Sequence, residues 1–197
     1  MQPGTARPSQ RAPAHELRII GGVWKRSKLA IVDKPGLRPT PDRVRETLFN
    51  WLGQDLSGRR CFDAFAGTGA LGFEAASRGA ASVVMVEQDR ALVLGLRSVR
   101  ARLQAAATQV VRGDGVLELE RAEPASLDVV FLDPPFDSAV FAPALCAARR
   151  AVSPQGVVYL EAPVRWSDTQ HELAGFRLLR FLRAGAVHAH LLAPGTA

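Results

Sequence analysis

From residue 58 onward, short apolar runs typical of buried strands alternate with longer stretches whose apolar residues recur at helical spacing. The predicted strands are 61–65, 82–86, 108–111, 127–132 and 156–160. The predicted helices among them are 69–78, 90–103 and 140–152. Such alternation produces βαβ units with right-handed crossovers. The sequence therefore predicts an α/β fold with a doubly wound, mostly parallel sheet covered by helices on both faces.

The last two predicted strands, 176–182 and 187–192, are close together in the chain, with Gly185 in their connection. A short glycine-containing connection joins antiparallel neighbours. We therefore expect a seven-stranded sheet with an antiparallel last strand, the final hairpin lying at the sheet edge.

The N-terminal part of the chain follows a different pattern. Residues 1–16 are rich in Pro, Gln, Ser and Ala without periodicity, which predicts disorder. Apolar runs at 17–20 and 29–32 flank a glycine pair and a basic cluster, which predicts a β-hairpin with a positively charged turn.

A helix is predicted over 41–52, because apolar residues recur there every four positions and Pro41 suits the first helical position. Thr40 is its expected N-cap. The chain is thus expected to contain a disordered tail (1–16), an extension (17–57) and a main domain (58–197).

Charge is distributed unevenly along the chain, which has 25 Lys and Arg, 19 Asp and Glu, and a net charge of +6. Residues 1–60 carry 12 basic and 5 acidic side chains, whereas residues 61–197 carry 13 and 14. A basic arm on a nearly neutral domain is typical of polyanion binding, because Lys and Arg that neutralise phosphates release counterions. A tail kept basic for solubility is the alternative that charge alone leaves open.

Composition narrows the class of protein. With 47% apolar and 22% charged residues, the chain is expected to form a globular domain. It has no uncharged 18-residue run and no apolar N-terminal stretch, so neither a membrane span nor a secretory signal is expected. Cys61 and Cys146 are too few for a disulfide framework or a four-cysteine metal site, which favours the cytoplasm and no metal. Both are expected to be small buried hydrophobic residues.

The first predicted strand of the main domain leads into a glycine loop, 66–72, that satisfies G-x-G-x-x-G before a helix. Such a loop lets the backbone approach a nucleotide-like ligand at the helix N-terminus. Glu87, about 20 residues on, is placed to accept hydrogen bonds from ribose hydroxyls. A dehydrogenase and an S-adenosylmethionine enzyme both fit this pattern.

Asp63 separates these two possibilities. It lies within the strand, where an anion would repel a pyrophosphate but would attract the ammonium of a methionine moiety. The cofactor favoured by the sequence is therefore S-adenosylmethionine. Asp114, after the third strand, is expected either to accept from the adenine amino group or to be an ordinary turn residue.

The fourth predicted strand ends in Asp133-Pro134-Pro135-Phe136. Because prolines lack N–H donors, the Pro134 carbonyl and the Asp133 carboxylate are expected to offer two acceptors to an exocyclic amino group. Phe136 offers a flat face for stacking of a flipped-out base. The predicted chemistry is in-line attack of the amino nitrogen on the sulfonium methyl group, without a metal or a covalent enzyme intermediate.

Four segments together resemble one family, the bacterial small-subunit (16S) rRNA guanine-N2 methyltransferases of the RsmD type. The segments are 18–22, 36–50, 66–75 and 133–136. Glycine loops and Asp-Pro-Pro-Phe occur across amino-methyltransferases, whereas the pattern within 36–50 is the part specific to this family. The resemblance covers most of the chain from Arg18 to about Leu192.

The resemblance implies a Rossmann-like class I methyltransferase fold and methylation of a guanine N2 in 16S rRNA, within an assembled or partly assembled 30S subunit, by a monomer. It implies that the cofactor is bound by Asp63, Ala64, Gly67, Gly69, Glu87, Asp114 and Asp133. It places the extension next to the mouth of the active site, to hold rRNA. The RNA contacts are expected from Arg18, Lys25, Arg26, Lys28, Arg38, Thr40, Arg43 and Arg45.

Three other functions fit parts of the sequence. An adenine-N6 methyltransferase on RNA or DNA uses a similar Asp-Pro-Pro-aromatic segment, but 197 residues leave no room for a separate base-reading domain. A non-catalytic rRNA-binding assembly factor is disfavoured by the intact tetrapeptide. A dehydrogenase is the weakest alternative, because of Asp63.

Overall fold

The computed structural model describes residues 17–29, 42–136 and 138–195. Two short strands, β1 (Leu17–Arg18) and β2 (Lys28–Leu29), form a separate hairpin. The central strands are β3 (Arg60–Asp63), β4 (Ser82–Glu87), β5 (Thr108–Arg112), β6 (Leu127–Leu132), β7 (Val152–Ala162), β8 (Phe176–Ala184) and β9 (Val187–Pro194). The helices are α1 (Asp42–Leu52), α2 (Ala70–Ser77), α3 (Arg90–Arg102), α4 (Gly115–Glu120), α5 (Phe141–Ala151) and α6 (Asp168–Leu173).

The seven central strands form one sheet in the order β5-β4-β3-β6-β7-β9-β8. Strand β9 is antiparallel to its neighbours β7 and β8. The pairings from β5 through β4, β3 and β6 to β7 are all parallel. The predicted doubly wound sheet with an antiparallel last strand is confirmed. The strand order reverses between β3 and β6, and in open α/β sheets ligands bind at the carboxyl ends of the strands flanking such a reversal.

Helices cover both faces of the sheet because each strand alternates its side chains between two apolar layers. On one face, α1, α2 and α3 bury side chains such as Phe49, Phe73 and Leu96. On the other face, α4 and α5 bury Leu119 and Leu145. Of the described residues, no helix is long and apolar enough to cross a membrane.

Helix α2 is buried along its whole length, from Ala70 to Ser77. Its outer side is covered by the N-terminal hairpin, whose Leu17, Ile19 and Leu29 join the same apolar layer. The predicted hairpin is confirmed at the β1–β2 pairing, with Leu17 opposite Leu29, while residues 30–32 of its second run lie outside the described residues. The extension is therefore packed into the main domain and completes its core.

Glu74 joins three parts of the chain at the centre of this contact. The fully buried Glu74 carboxylate accepts a hydrogen bond from the Ile20 N–H (2.8 Å) and pairs with the Arg78 guanidinium (2.8 Å). Arg45 Nη1 of α1 lies 3.8 Å from the same carboxylate. Removing one member of such a buried group leaves an uncompensated charge, which typically costs about 3–5 kcal/mol.

The sequence did not predict helices α4 and α6. Each has six residues, too few to show a helical period, and each begins at a polar N-cap, Asp114 or Ser167. Strand β7 begins four residues before the predicted position 156, because Val152 already pairs with Leu127 ahead of a register shift.

The two cysteines differ in their surroundings. Cys61 is buried in β3, and burial raises the pKa of its thiol to about 12, so it is an inert core residue as predicted. The prediction for Cys146 is wrong, because it lies on the solvent side of α5 while its neighbours Leu145 and Ala147 face the core.

Candidate active site

Four carboxylates approach one another at the carboxyl ends of adjacent parallel strands. Two positions before each carboxylate lies a strand residue that packs in the apolar layer between the sheet and helices α1, α2 and α3. Because the side chains of a strand alternate between its two faces, the carboxylates point to this same face. Strand pairing places Asp63 level with Met85, Phe131 and Tyr159, so the other three carboxylates lie level with one another, two residues further along their strands. We call this group the carboxylate row: Glu87, Asp63, Asp133 and Glu161.

The glycine loop lies against the row. Gly69, just before α2, has a φ of 79°, and a Cβ there would come within 2.6 Å of Phe73 and Leu96 side-chain atoms. Only glycine fits this turn without strain. Glu87 holds the loop in place, accepting hydrogen bonds from the Gly67 N–H (2.9 Å) and the Asp89 N–H (2.8 Å).

Glu87 therefore has a structural role besides the predicted one. Both of its carboxylate oxygens accept a backbone N–H. Each oxygen has a second lone pair, so these bonds leave acceptor capacity for ribose hydroxyls. Its predicted contact with the cofactor stays a prediction.

Asp63 is the most perturbed member of the row. It is 1% exposed, and its Oδ2 accepts the Gly72 N–H at 3.1 Å. Burial raises the pKa of Asp63 to about 7, and repulsion from Asp133 and then Glu87 adds to this effect. The backbone N–H groups of Gly72 and Phe65 lower it, although only the Gly72 N–H has the distance and angle of a hydrogen bond. Among the described residues, its Oδ1 has no hydrogen-bond partner.

An unpaired buried carboxylate oxygen is costly unless a ligand donates to it. Surrounded by further carboxylates, Asp63 Oδ1 suits a cationic donor such as an ammonium. The residues therefore fit the predicted cofactor, because S-adenosylmethionine carries an ammonium and a sulfonium.

Asp114 caps α4 at the edge of the cleft. Its Oδ1 accepts hydrogen bonds from the Val116 N–H (2.8 Å) and the Leu117 N–H (3.2 Å), and its Oδ2 accepts one from Gln88 Nε2 (3.2 Å). A Cβ on the next residue, Gly115, would overlap the Ala64 carbonyl. This close approach brings Asp114 to the end of β3. The structure thus shows the capping role, and its predicted adenine contact stays a prediction.

The tetrapeptide follows β6 directly. Asp133 is partly exposed, Pro134 is buried, and Pro135 and Phe136 are exposed. The Pro135 carbonyl accepts a hydrogen bond from the Ser138 N–H at 3.1 Å, which folds the segment into a turn. Phe136 is 36% exposed, as a stacking surface requires.

Sequence reasoning missed two polar residues at the end of β7. The Tyr159 hydroxyl donates a hydrogen bond to Glu161 Oε1 at 2.8 Å, and both residues are buried. Burial raises the pKa of Tyr159, with Glu161 and Asp133 adding to the shift. A signal was present, because Tyr159 and Glu161 alternate at the end of a strand whose carboxyl terminus faces the cleft.

The predicted RNA-binding residues divide into three groups. Arg18, Lys25, Arg26, Lys28 and Arg43 are exposed. Arg38 and Thr40 lie outside the described residues. The third group is Arg45, which was predicted wrongly.

Arg45 is fully buried and donates to the Arg18 carbonyl at 2.9 Å, beside Asp42 and Glu74. In α1 it directly follows Val44, and both side chains lie on the side of the helix that faces the core. Its charge is neutralised internally, so it is unavailable to a phosphate.

The basic turn, which we define as Lys25, Arg26 and Lys28, lies away from the cleft. The neighbouring Val23 and Trp24 N–H groups donate to Ser77, in the last turn of α2. The glycine loop precedes the first turn of this eight-residue helix, about 12 Å away. The expected position beside the active-site mouth is therefore wrong for the basic turn, because α2 runs away from the cleft.

Comparisons with known proteins agree with this geometry. The family model described as "Conserved hypothetical protein 95" matches residues 17–193. Ribosomal RNA small subunit methyltransferase D of Escherichia coli is 39% identical over 172 residues, which cover 81% of this chain and 86% of that protein. The protein of the same name from Haemophilus influenzae is 40% identical over 174 residues, covering 81% and 90%.

The solved structure of the Escherichia coli protein yhhF is 34% identical and superposes with a TM-score of 0.77, covering 91% of this chain and 98% of that one. The match to the family model extends from the N-terminal hairpin to the last strand of the sheet. The chain therefore belongs to the RsmD family.

Proposed function

We propose that this protein is a methyltransferase that uses S-adenosylmethionine to methylate the exocyclic N2 amine of a guanine in 16S rRNA. The observation that carries the proposal is the unpaired Asp63 Oδ1 within the carboxylate row, next to Asp133-Pro134-Pro135-Phe136. A site for a cation thus adjoins a segment suited to an amino group. The names of the relatives, ribosomal RNA small subunit methyltransferase D, support rRNA as the substrate.

The chain's own residues divide the work of binding the cofactor. Asp63 accepts from the ammonium, which offsets its burial and its repulsion by the neighbouring carboxylates. Gly67 and Gly69 let the loop approach the ligand, Glu87 accepts from the ribose, and Asp114 and Ala64 line the adenine side. When bound, the cofactor would supply an activated methyl group, because its sulfonium sulfur would take the electron pair of the broken carbon–sulfur bond and leave as a neutral thioether.

The tetrapeptide orients the amine. Pro134 and Pro135 offer no N–H, so Asp133 and the Pro134 carbonyl can accept both amino hydrogens. This turns the nitrogen lone pair toward the methyl group for in-line attack. Asp133 then receives the proton, which becomes acidic once the nitrogen carries the methyl group. Phe136 stacks on the base, a contact worth about 1–3 kcal/mol in single-strand binders.

The substrate form and the organisation of the chain complete the proposal. We infer an assembled or partly assembled 30S subunit as substrate, a cytoplasmic location and a monomeric enzyme. Residues 58–197 form the catalytic domain and residues 17–57 the RNA-binding extension. The exposed basic residues of the extension support this division.

Methylation assays distinguish the proposal from its alternatives. Unmethylated 30S particles, protein-free 16S rRNA and duplex DNA are incubated with isotope-labelled S-adenosylmethionine, and modified nucleosides are identified by mass spectrometry. We expect N2-methylguanosine in the ribosomal RNA. N6-methyladenosine without N2-methylguanosine would establish the adenine enzyme. Binding to 30S particles without any methylated nucleoside would establish the assembly factor.

A further inference from the structure

A second basic surface lies on α3 and β5, inside the domain whose overall charge is nearly neutral. Residues 90–113 contain five arginines and no acidic residue. All five are exposed. We call them the arginine track: Arg90, Arg97, Arg100, Arg102 and Arg112. The nearly zero net charge of residues 61–197 therefore arises because the positive charge of the arginine track is cancelled by acidic residues elsewhere in this segment.

One end of the track meets the basic turn. The Arg102 guanidinium, in the last turn of α3, donates to the Lys28 carbonyl. Arg100, two residues earlier, donates to the Thr108 carbonyl of β5 at 2.7 Å, which fixes its side chain against the sheet edge. The basic turn and the C-terminal end of α3 therefore form one continuous positive surface.

The other end of the track reaches the cleft. Arg112 is the strand neighbour of Glu87, a member of the carboxylate row. Arg90 begins α3 directly after its N-cap Asp89, whose N–H is held by Glu87. Since α3 has 13 residues, the track extends about 20 Å from the basic turn to the cleft.

Between the two ends, Arg97 and Arg100 border an open depression of about 550 Å³. The edge strand contributes Thr108, Gln109 and Val110 to its floor. The cationic side chains that border this depression suit phosphate groups, which take many of the hydrogen bonds in protein–nucleic acid complexes.

We propose that the arginine track binds the phosphate backbone of the substrate RNA and guides it from the basic turn to the catalytic cleft. This inference rests on the proposed function, since it takes the RNA as the substrate. It also gives the distant basic turn a physical connection to the reaction.

The test compares two triple variants that remove equal charge from opposite edges of the sheet. Arg90→Gln, Arg97→Gln and Arg112→Gln remove three of the five arginines, including the 3.4 Å hydrogen bond from Arg112 to the Gln88 carbonyl, and leave Arg100 and Arg102 bonded to backbone carbonyls. The matched control is Arg177→Gln, Arg180→Gln and Arg183→Gln, three exposed residues of β8. Circular dichroism melting checks that both variants fold.

Binding to protein-free 16S rRNA is measured between about 50 and 200 mM salt, a range over which phosphate contacts dominate the change in affinity. For the track variant we expect affinity at least about tenfold weaker and a salt slope lower by roughly 2–3, about one for each lost contact. The control keeps the wild-type slope, and calorimetry shows unchanged S-adenosylmethionine affinity in both variants.

Two results would overturn the inference. An equal change in slope for both triple variants would reveal a net-charge effect without a defined surface. A loss of affinity confined to protein-containing 30S particles would assign the track to a ribosomal protein. Failure of the proposed function has a different signature, because wild-type enzyme would then make no N2-methylguanosine while the RNA-binding slopes could still be compared.

Discussion

The carboxylate row and the arginine track meet where Glu87 of β4 lies opposite Arg112 of β5 in the strand register. The two regions differ in how far their side chains are buried. Asp63 and Glu161 are 1% and 2% exposed, whereas every arginine of the track faces solvent. Buried charges interact strongly and shift one another's pKa values, while exposed charges are screened and add up over distance. The row suits one small cation, and the track suits a long polyanion.

The two regions also differ in how the chain builds them. The track comes from one continuous segment, 90–113, whereas the row gathers residues from four strands. A segment can gain or lose surface charges with little effect on folding. The row exists only when the strands are in register, so its chemistry depends on the whole sheet.

The largest effect is expected at Asp133. Asp133→Ala removes the carboxylate that orients the amine, and we expect methyl transfer to fall by about 10³-fold, as for loss of a group that stabilises a transition state. Single-turnover rates with bound RNA measure this loss. S-adenosylmethionine affinity, measured by calorimetry, should largely survive. Methyl transfer close to the wild-type rate would rule out the proposed role of the tetrapeptide.

Asp63 tests whether the row holds the cofactor. Asp63→Asn keeps the shape and still accepts the Gly72 N–H, but loses the charge that attracts the ammonium. Hydrogen bonds to charged groups contribute about 1.5–3 kcal/mol, so we expect S-adenosylmethionine to bind roughly 10- to 100-fold more weakly. RNA affinity should be unchanged. The control is Asp128→Asn, a carboxylate paired with Arg60 at the opposite end of the sheet.

The same residue gives the stability of the cofactor-free protein a distinctive pH dependence. The pKa of Asp63 is about 7 in the folded state and near the ordinary aspartate value of 3.8 when the chain is unfolded, so between these values the folded state binds the extra proton. Its contribution to stability is therefore full below pH ~4 and is lost as the pH rises toward 7, by up to about 4 kcal/mol.

Asp63→Asn should remove this loss. The difference in free energy of unfolding, variant minus wild type, is expected to grow from pH 4 to pH 7 and then level off. Denaturant unfolding of both cofactor-free proteins across this range measures it. A difference that stays constant with pH would show that folding does not raise the pKa of Asp63.

Smaller effects are expected at the basic turn. Lys25→Gln, Arg26→Gln and Lys28→Gln together should lower the salt slope of RNA binding by roughly 2–3 and leave cofactor affinity unchanged. The β8 triple variant is again the matched control. An unchanged slope would show that the basic turn does not contact RNA and that this part of the hairpin only packs on α2.

The sequence predicted the row better than the track. The strands along the chain and the positions of Asp63, Glu87 and Asp133 follow from short apolar runs and a glycine loop, which are local signals. Glu161 was missed because the predicted strand stopped at 160, before its last polar residue.

The placement of the basic residues depended on tertiary contacts that no local pattern encodes. Arg45 was assigned with Arg43 to the polar face of α1, but it lies beside Val44 on the core side, where the hairpin and Glu74 enclose it. The basic turn was expected at the cleft, and only the docking of the hairpin along α2 shows that it lies at the opposite end. The track was hidden because summing charge over residues 61–197 cancelled it.

Steady-state kinetics with both substrates varied test the central claim most directly. Wild type, Asp63→Asn and the track triple variant are compared on unmethylated rRNA, with N2-methylguanosine as the product measured. We predict that Asp63→Asn raises the KM for S-adenosylmethionine without changing the KM for RNA, and that the track variant does the reverse. A variant that raised both KM values equally would contradict the separation of a cationic-ligand site from a polyanion surface.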